Sequence, residues 1–497
     1  MERYGSIELT ANEAVTPVPL VGAPPPPHPY NPRFSKAITL LSALILCVSI
    51  VIVAWLSFDV PRVDRVPDAE RALSHMVGRL MDLEAGLKTR PIWEQFLYEV
   101  TMGSDANDRA QAIAWYRELS EESSDPYVDL HQAILEGEAG RNQDIQRKIA
   151  KWARQSDPYP VFATLLEAAY IDAHVAPAYA FDLQARLAEQ PVNGWFYSTL
   201  ATRIAERSGN RPLLATIDAS SQQRTAVLLW RARAFAILEF TLMLAGLMVL
   251  GWWLRRRTRQ AIFQVGSAEL PPLWAGRLGL GVLLRGGAVG ALLTVTFLFT
   301  SMDYPSLRAL AVPLSNFPLL ALAYYHLLRP QGLSFWSGFG LHVEPRRLGH
   351  LGLAVVAVVA AGLVGEWVMG RIAEPLNLAS HWTEWFDADL VWGSPPTLVV
   401  SLMEYVLFAP VFEELAFRGL LFGVLRRRFH WWPAALLSAT LFALAHGYGL
   451  IGFLSVLWSG VIWAWAYERT GSLWPGMIGH AVNNLLVCLS VMALLRA

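Results

Sequence analysis

The chain has 497 residues, of which 54% are hydrophobic and only 16% are charged. This low charge content excludes an ordinary soluble protein and predicts a polytopic membrane protein. The formal net charge of −1 provides no basic surface, so no nucleic-acid partner is expected. The two cysteines, Cys47 and Cys488, fall within predicted membrane spans and can build neither a disulfide framework nor a metal knuckle.

The N-terminal region combines a proline-rich tail with a first membrane span. Residues 1–36 include four consecutive prolines at 24–27, which predicts a disordered, extended tail. Arg33 and Lys36 then precede about 22 uncharged residues at 37–58, which are enough to cross a bilayer. The run is too long for a cleaved signal peptide, so we interpret it as a retained transmembrane helix with a cytoplasmic N-terminus.

Residues 59–230 are charged and contain no long apolar run, which predicts a soluble helical domain. The dipeptides Asp125-Pro126, Asp157-Pro158 and Gln190-Pro191 recur about every 33 residues. Each is predicted to start a helix, because proline is favoured in the first helical position and aspartate before it can cap. The period resembles tetratricopeptide-type arrays, whose full signature is absent here, and an irregular helical bundle remains the alternative. A protein partner for this domain is expected.

The distribution of basic residues predicts the topology. A second span at 234–254 is followed at once by an arginine cluster at 255–259, which places that end of the helix in the cytoplasm. The 59–230 domain then lies outside the cytoplasm, in the periplasm of a Gram-negative cell. The protein is therefore expected in a bacterial inner membrane. Residues 231–335 are assigned to transmembrane helices that precede a catalytic core at 336–497.

Seven further apolar stretches complete the membrane region. Arg426–Arg428 end one of them in the cytoplasm, whereas the aromatic residues at 382–392 predict an interfacial belt on the outer side, where the C-terminus is also expected. The predicted fold class is all-α: a polytopic membrane helix bundle of about nine transmembrane helices with an inserted soluble domain. The seven stretches lie near 278–300, 308–328, 349–370, 396–425, 433–446, 450–467 and 473–495.

Three polar insertions interrupt the last apolar stretches. Glu413-Glu414 with Arg418, then His446, and then His480 with Asn484 fall on successive spans. Ionisable groups at membrane depth are unfavourable by several kcal/mol each, so they indicate a functional site. A carboxylate, two imidazoles and an amide are the side chains that a hydrolytic site needs.

The helical period assigns different positions to the two glutamates. Glu414 and Arg418 are four residues apart and share a face, which predicts a buried ion pair. Glu413 points about 100° away and is free to face a cavity as a general base. Distances along the helices place the site to the cytoplasmic side of mid-membrane. Glu404 lies about half a turn out of phase with Glu413 and is expected to face away. Glu404, Glu239, Glu366 and Arg285 are interpreted as packing or snorkelling groups.

These motifs resemble the CPBP family of intramembrane proteases, which includes the type II CAAX prenyl endopeptidases and bacteriocin self-immunity proteins of the Abi type. The resemblance covers about residues 340–495 and implies that Glu413 activates water with His446 beside it. It also implies that His480 and Asn484 position or stabilise the oxyanion. Glu414 and Arg418 fill the remaining motif positions, in a structural or catalytic role. A peptide or lipidated protein substrate within membrane lipid is expected.

The metal requirement and the function class leave alternatives open. Glu413, His446 and His480 are a sufficient ligand set for a divalent metal such as zinc, and a metal-free mechanism is equally compatible. A non-catalytic membrane scaffold or self-immunity protein acting by binding is the alternative to an endopeptidase. A transporter ranks last, since the two halves of the chain show no inverted repeat.

Overall fold

The computed structural model describes residues 32, 34–59, 62–102, 108–255, 264–300, 305–376, 378 and 380–496. Within these ranges the regular structure is helical and contains no strand, which confirms the all-α class. The predicted disordered tail at 1–36 lies almost wholly outside the described residues, as does most of the arginine cluster at 255–259. From Phe34 onwards the chain forms one unit.

The soluble region consists of short helices that bury a common apolar core. The Asp125-Pro126 prediction is confirmed, because α5 begins at Pro126 and Asp125 Oδ1 accepts the Tyr127 backbone N–H at 3.0 Å. The helices here are α2 Ala69–Leu87, α3 Ile92–Met102, α4 Asp108–Glu122, α5 Pro126–Glu138, α6 Asn142–Trp152, α7 Tyr159–Leu166, α8 Pro177–Ala188 and α9 Gly194–Ser208. They follow α1 Lys36–Asp59.

The third proline dipeptide does not start a helix. Residues 189–191 form a turn and bends, Asn193 is extended, and α9 begins only at Gly194. Val192, the residue after this dipeptide, is 2% exposed and belongs to the domain core. The 33-residue tetratricopeptide-like period is therefore not confirmed.

One helix joins the soluble region to the membrane region. Helix α10 runs without interruption from Arg211 to Arg255, so the predicted boundary at residue 230 falls inside it. On its soluble half, Arg233 pairs with Glu94 of α3 at 2.7 Å, and the Leu229 carbonyl accepts the Tyr98 hydroxyl at 3.0 Å. One continuous helix therefore links the soluble domain to the second span.

In the described part of the chain, six helices are long and apolar enough to cross a membrane, so the protein is an integral membrane protein. The predicted number of nine is not confirmed. The other three predicted spans correspond to α1, to an irregular helix at 395–426 and to the short α19 Trp431–His446. The six candidates are Arg211–Trp252, Gly276–Phe297, Leu307–Gln331, Pro345–Leu376, Leu450–Thr470 and Trp474–Leu495.

The first of these spans lies in α10, and the other five are built on α11 Gly276–Thr300, α12 Pro305–Ala323, α14 Leu348–Ala373, α20 Leu450–Thr470 and α21 Trp474–Leu495. The short α13 Phe335–Gly338 lies between α12 and α14.

The two ends of the bundle are distinct. At one end, the Val265 N–H donates to the Thr470 carbonyl at 2.9 Å and the Leu473 N–H donates to Phe339. At the other end, the backbone carbonyl of Leu495, the last residue of α21, lies 2.7 Å from His75 Nε2 in the soluble domain. The C-terminal helix therefore ends on the side of the soluble domain.

The segment 380–392 lies between the soluble domain and the membrane helices, and we call it the cover segment. Its Trp382 is 0% exposed within the soluble domain's core, so the predicted interfacial aromatic belt is wrong at this residue. His381 Nε2 lies 3.0 Å from Glu118 Oε2 of α4. Arg71 stacks on Trp392 at 4.3 Å. The aromatic residues here contact protein because the soluble domain packs onto this end of the bundle.

Candidate active site

The first polar motif lies on a helix that alternates between α and π geometry. The α-helical parts are α16 Pro395–Met403, α17 Ala409–Glu413 and α18 Gly423–Arg426, and the π-helical parts are Glu404–Phe408 and Glu414–Phe422. Pro410 explains the first π-helical segment, since its ring displaces the carbonyl four residues earlier and it has no N–H to donate. Such π segments are frequent at functional sites.

Glu414 and Arg418 form a fully buried ion pair. Arg418 Nη1 donates to Glu414 Oε1 at 2.9 Å, and both side chains are 0% exposed. The guanidinium packs against the Phe442 ring, 4.2 Å away, and the Trp463 ring, 4.9 Å away. Gly460 leaves room for it, because an added Cβ there would come within 2.8 Å of Arg418 Nη2. The charge of Glu414 is thus balanced inside the bundle.

Glu413, the neighbouring carboxylate, faces a cavity. Its side chain is 24% exposed, and Oε2 lies 3.8 Å from His480 Nε2. The other ring nitrogen, His480 Nδ1, lies 3.3 Å from Glu414 Oε1. Trp463 stacks on the His480 ring with centroids 4.0 Å apart and planes 17° apart. His480 is therefore held by both carboxylates and by one aromatic face.

His446 is the last residue of α19, and Gly447 ends the helix in the left-handed conformation at φ 65°. His446 Nδ1 lies 2.8 Å from the Phe442 carbonyl. Because a carbonyl can only accept, Nδ1 carries the proton and Nε2 of the neutral ring keeps its lone pair. The ring also packs edge-on against Phe442 at 4.6 Å. Its orientation is thereby fixed.

Asn484 is held by the irregular helix. Its Nδ2 donates to the Tyr405 carbonyl at 2.9 Å, while the Tyr405 hydroxyl donates to Asp387 in the cover segment at 2.7 Å. Asn484 and His480 are one turn apart on α21 and face the same cavity.

The cavity itself has a volume of about 590 Å³. It brings together four of the six predicted site residues, whereas Glu414 and Arg418 are buried behind its wall. It extends from Glu413 to the cover segment, whose residues 384–387 line it. The carboxylate, imidazole and amide residues lining it are Glu366, Glu384, Asp387, Glu404, Glu413, His446, His480, Asn483 and Asn484.

Two carboxylates interpreted as packing groups also reach this cavity. Glu404 was expected to face away from Glu413, but both line it. The π-helical segment between them accommodates one extra residue. Glu404 therefore lies about 80° around the helix axis from Glu413, and not about 180° as regular α-helical spacing would give. Glu366 of α14 lines the opposite wall. Glu239 borders a separate pocket of about 230 Å³ that also contacts Glu366.

Sequence reasoning missed the residues that hold the site together. Trp463 lies on α20, which carries no polar motif, and only its aromatic side chain marks it. Glu384 and Asp387 come from the cover segment, which the sequence assigned to the membrane interface. Glu384 Oε1 accepts the Gly449 N–H at 3.0 Å and thereby ties the cover segment to the loop after His446.

Arg285, interpreted as snorkelling, lies outside the site. Its guanidinium stacks on Phe34 at 4.2 Å, and Nη2 donates to the Ser35 carbonyl at 2.8 Å.

The use of a metal by Glu413, His446 and His480 stays a prediction. No group of three His, Cys, Asp or Glu side chains with metal-binding spacing occurs in the part of the chain that the structure describes.

Comparison with known proteins points to the part of the chain that carries the site residues. Residues 395–486 match the family model described as type II CAAX prenyl endopeptidase Rce1-like. The family resemblance is confirmed. The Rce1-like segment contains all six predicted site residues and is narrower than the 340–495 expected from the motifs.

Two curated relatives match a similar share of the chain. The "Uncharacterized 24.3 kDa protein" of Escherichia coli is 32% identical over 130 residues, which cover 25% of this chain and 58% of the relative. The "Putative membrane peptidase YdiL" of Bacillus subtilis (strain 168) is 27% identical over 135 residues, covering 27% of this chain and 51% of the relative. The chain thus spans little more than half the length of these relatives. No solved structure matches the chain.

The matched segment is thus similar to a prenyl-endopeptidase family model and to a protein named a putative membrane peptidase.

Proposed function

We propose that this protein is an intramembrane endopeptidase in which Glu413 activates water for attack on a peptide bond. The observation that carries the proposal is the convergence of Glu413, His446, His480 and Asn484, from three helices, on one cavity. Glu413 is suited to the role of base because the charge of Glu414 is already balanced by Arg418. A carboxylate within reach of a water in a shielded site can accept its proton.

The chemical steps follow from the fixed orientations of the side chains. A water held between Glu413 and the lone pair of His446 Nε2 attacks the scissile carbonyl carbon and gives its proton to Glu413. Asn484 has a second N–H on Nδ2 besides the one donated to Tyr405, and this N–H stabilises the oxyanion. His480, whose Nε2 lies 3.8 Å from Glu413 Oε2, positions the carboxylate that acts as the base. The proton then passes to the departing amine, and the carbon–nitrogen bond breaks.

The substrate proposed is a small lipidated or hydrophobic protein, cut near its C-terminus or in a membrane-proximal segment. Apolar walls from Phe442, Trp385 and Phe386 support this choice, since they suit a substrate drawn from lipid. We further propose a bacterial inner-membrane location with the soluble domain outside the cytoplasm. Protease added to intact spheroplasts would cleave the soluble domain in that orientation and spare it in the reverse one.

The test of the function compares matched carboxylate variants in proteoliposomes. We expect Glu413→Gln to reduce kcat for lipidated peptides by at least about 100-fold, the usual contribution of a general base. His446→Ala and His480→Ala should also lose most activity while staying folded. The control is Glu239→Gln, which changes a carboxylate in a membrane helix that does not line the cavity, and it should keep wild-type activity. Full activity of Glu413→Gln would refute the proposal.

The same assay tests the substrate class and the metal requirement independently of each other. Prenylated and unprenylated versions of one peptide library are incubated with and without chelator, and the products are identified by mass spectrometry. The metal-free mechanism predicts cleavage that is unchanged by chelator. Loss of cleavage with chelator and its recovery with zinc would show that the side chains rearrange to bind a metal.

A further inference from the structure

The carbonyl of Tyr405 lies at a defect in the helix that carries Glu413. In the π-helical segment Glu404–Phe408, the Ala409 N–H donates to the Glu404 carbonyl. The next donor in that pattern, for the Tyr405 carbonyl, would be the N–H of residue 410. That residue is proline and has no N–H. The helix therefore leaves the Tyr405 carbonyl without its own backbone donor.

The missing donor is replaced by a side chain from another helix. Asn484 Nδ2 of α21 donates to the Tyr405 carbonyl at 2.9 Å. The bond is part-buried. Because a carbonyl shielded from water is unfavourable by up to about 1–3 kcal/mol when it has no donor, this contact restrains the amide. With one N–H used in this way, the second N–H on Nδ2 has a fixed direction.

We infer that Pro410 is a positioning residue: by freeing the Tyr405 carbonyl, it orients the Asn484 amide in the cavity. This inference rests on the proposed function, in which Asn484 donates to the oxyanion. The same defect rotates Glu404 into the cavity, as described above, so one proline adjusts both the helix phase and the amide. Pro410 itself does not line the cavity and acts only through these neighbours.

The inference is tested with Pro410→Ala. The new N–H can pair within the helix and compete for the Tyr405 carbonyl, which releases Asn484. Since proline is the least favourable residue inside a helix, this variant should be at least as stable as the wild type. Its kcat should nevertheless fall about 10-fold to 100-fold with little change in KM, because orientation of the amide matters only in the transition state. The matched control is Pro318→Ala, inside α12 and away from the cavity, whose kcat should not change.

A double-mutant cycle with Asn484→Ala separates positioning through Asn484 from a general effect on the helix. If Pro410 acts through Asn484, adding Pro410→Ala to Asn484→Ala should reduce kcat by less than about 2-fold more. Additive losses in the double variant would overturn the inference, as would a Pro410→Ala variant with wild-type kcat. Glu413→Gln is measured alongside. If it is inactive while Pro410→Ala is fully active, only this inference fails; if Glu413→Gln is active, the proposed function fails.

Discussion

Removing the arginine of the buried Glu414–Arg418 pair should destabilise the protein strongly. In Arg418→Met, the apolar side chain fills much of the same space, but Glu414 keeps a charge at 0% exposure with no cation beside it. Breaking a buried pair in this way destabilises by about 3–5 kcal/mol. Loss of the guanidinium contacts with Phe442 and Trp463 adds about 1 kcal/mol. We therefore expect a total of about 4–6 kcal/mol.

The matched control removes both charges at once. Within the described residues, Glu414 Oε2 and Arg418 Nε and Nη2 have no hydrogen-bond partner, so the pair is only partly satisfied. Replacement by Glu414→Gln with Arg418→Met should therefore restore stability to within about 1–2 kcal/mol of the wild type. This double variant should remain inactive, because His480 Nδ1 loses the carboxylate that holds it.

The assay is unfolding by titration with dodecyl sulfate in mixed micelles, followed by tryptophan fluorescence. If Arg418→Met unfolds within 1 kcal/mol of the wild type, roughly the loss expected from the ring contacts alone, the argument from a buried, uncompensated carboxylate is wrong.

Three further predictions concern other parts of the molecule. Burial lowers the pKa of His131 in the soluble domain from 6.5 to about 3, so the unfolded chain takes up a proton below pH 6.5 that the folded chain does not. The free energy of unfolding should thus fall as the pH drops below 6.5, by about 2 kcal/mol at pH 5. His131→Phe should lack this pH-dependent loss when the variant and the wild type are unfolded side by side. Trp463→Leu removes the ring stacked on His480 and should lower kcat about 10-fold with KM nearly unchanged; an equal rise in KM would instead indicate lost substrate binding. Glu118→Ala removes the contact to His381, and hydrogen exchange should become faster in the cover segment but not in α20; unchanged exchange in the cover segment would show that the soluble domain does not hold it.

The sequence predicted the parts of the site that depend on local helical spacing. Glu414 and Arg418 are four residues apart and meet in space, as do the faces of His480 and Asn484 on α21. Residues three or four apart on a helix are neighbours whatever the rest of the fold does, so these contacts need no knowledge of the tertiary structure.

The parts that were missed depend on backbone irregularity or on distant segments. Glu404 was placed on the wrong side because regular α-helical rotation was assumed across Pro410. Trp463 and Asp387 contact the site through tertiary packing that no spacing encodes. The soluble domain, which the motifs left unexplained, holds the cover segment from the side opposite the cavity through Glu118. A charged insertion between two spans gives no indication of such a contact.

The most direct measurement is an experimental structure of the Glu413→Gln variant with an intact lipidated peptide bound. The account predicts that the scissile carbonyl lies in the 590 Å³ cavity, with its oxygen towards Asn484 and a water between residue 413 and His446. A peptide bound elsewhere on the protein, or one whose carbonyl lies beyond the reach of any water held by residue 413, would contradict it.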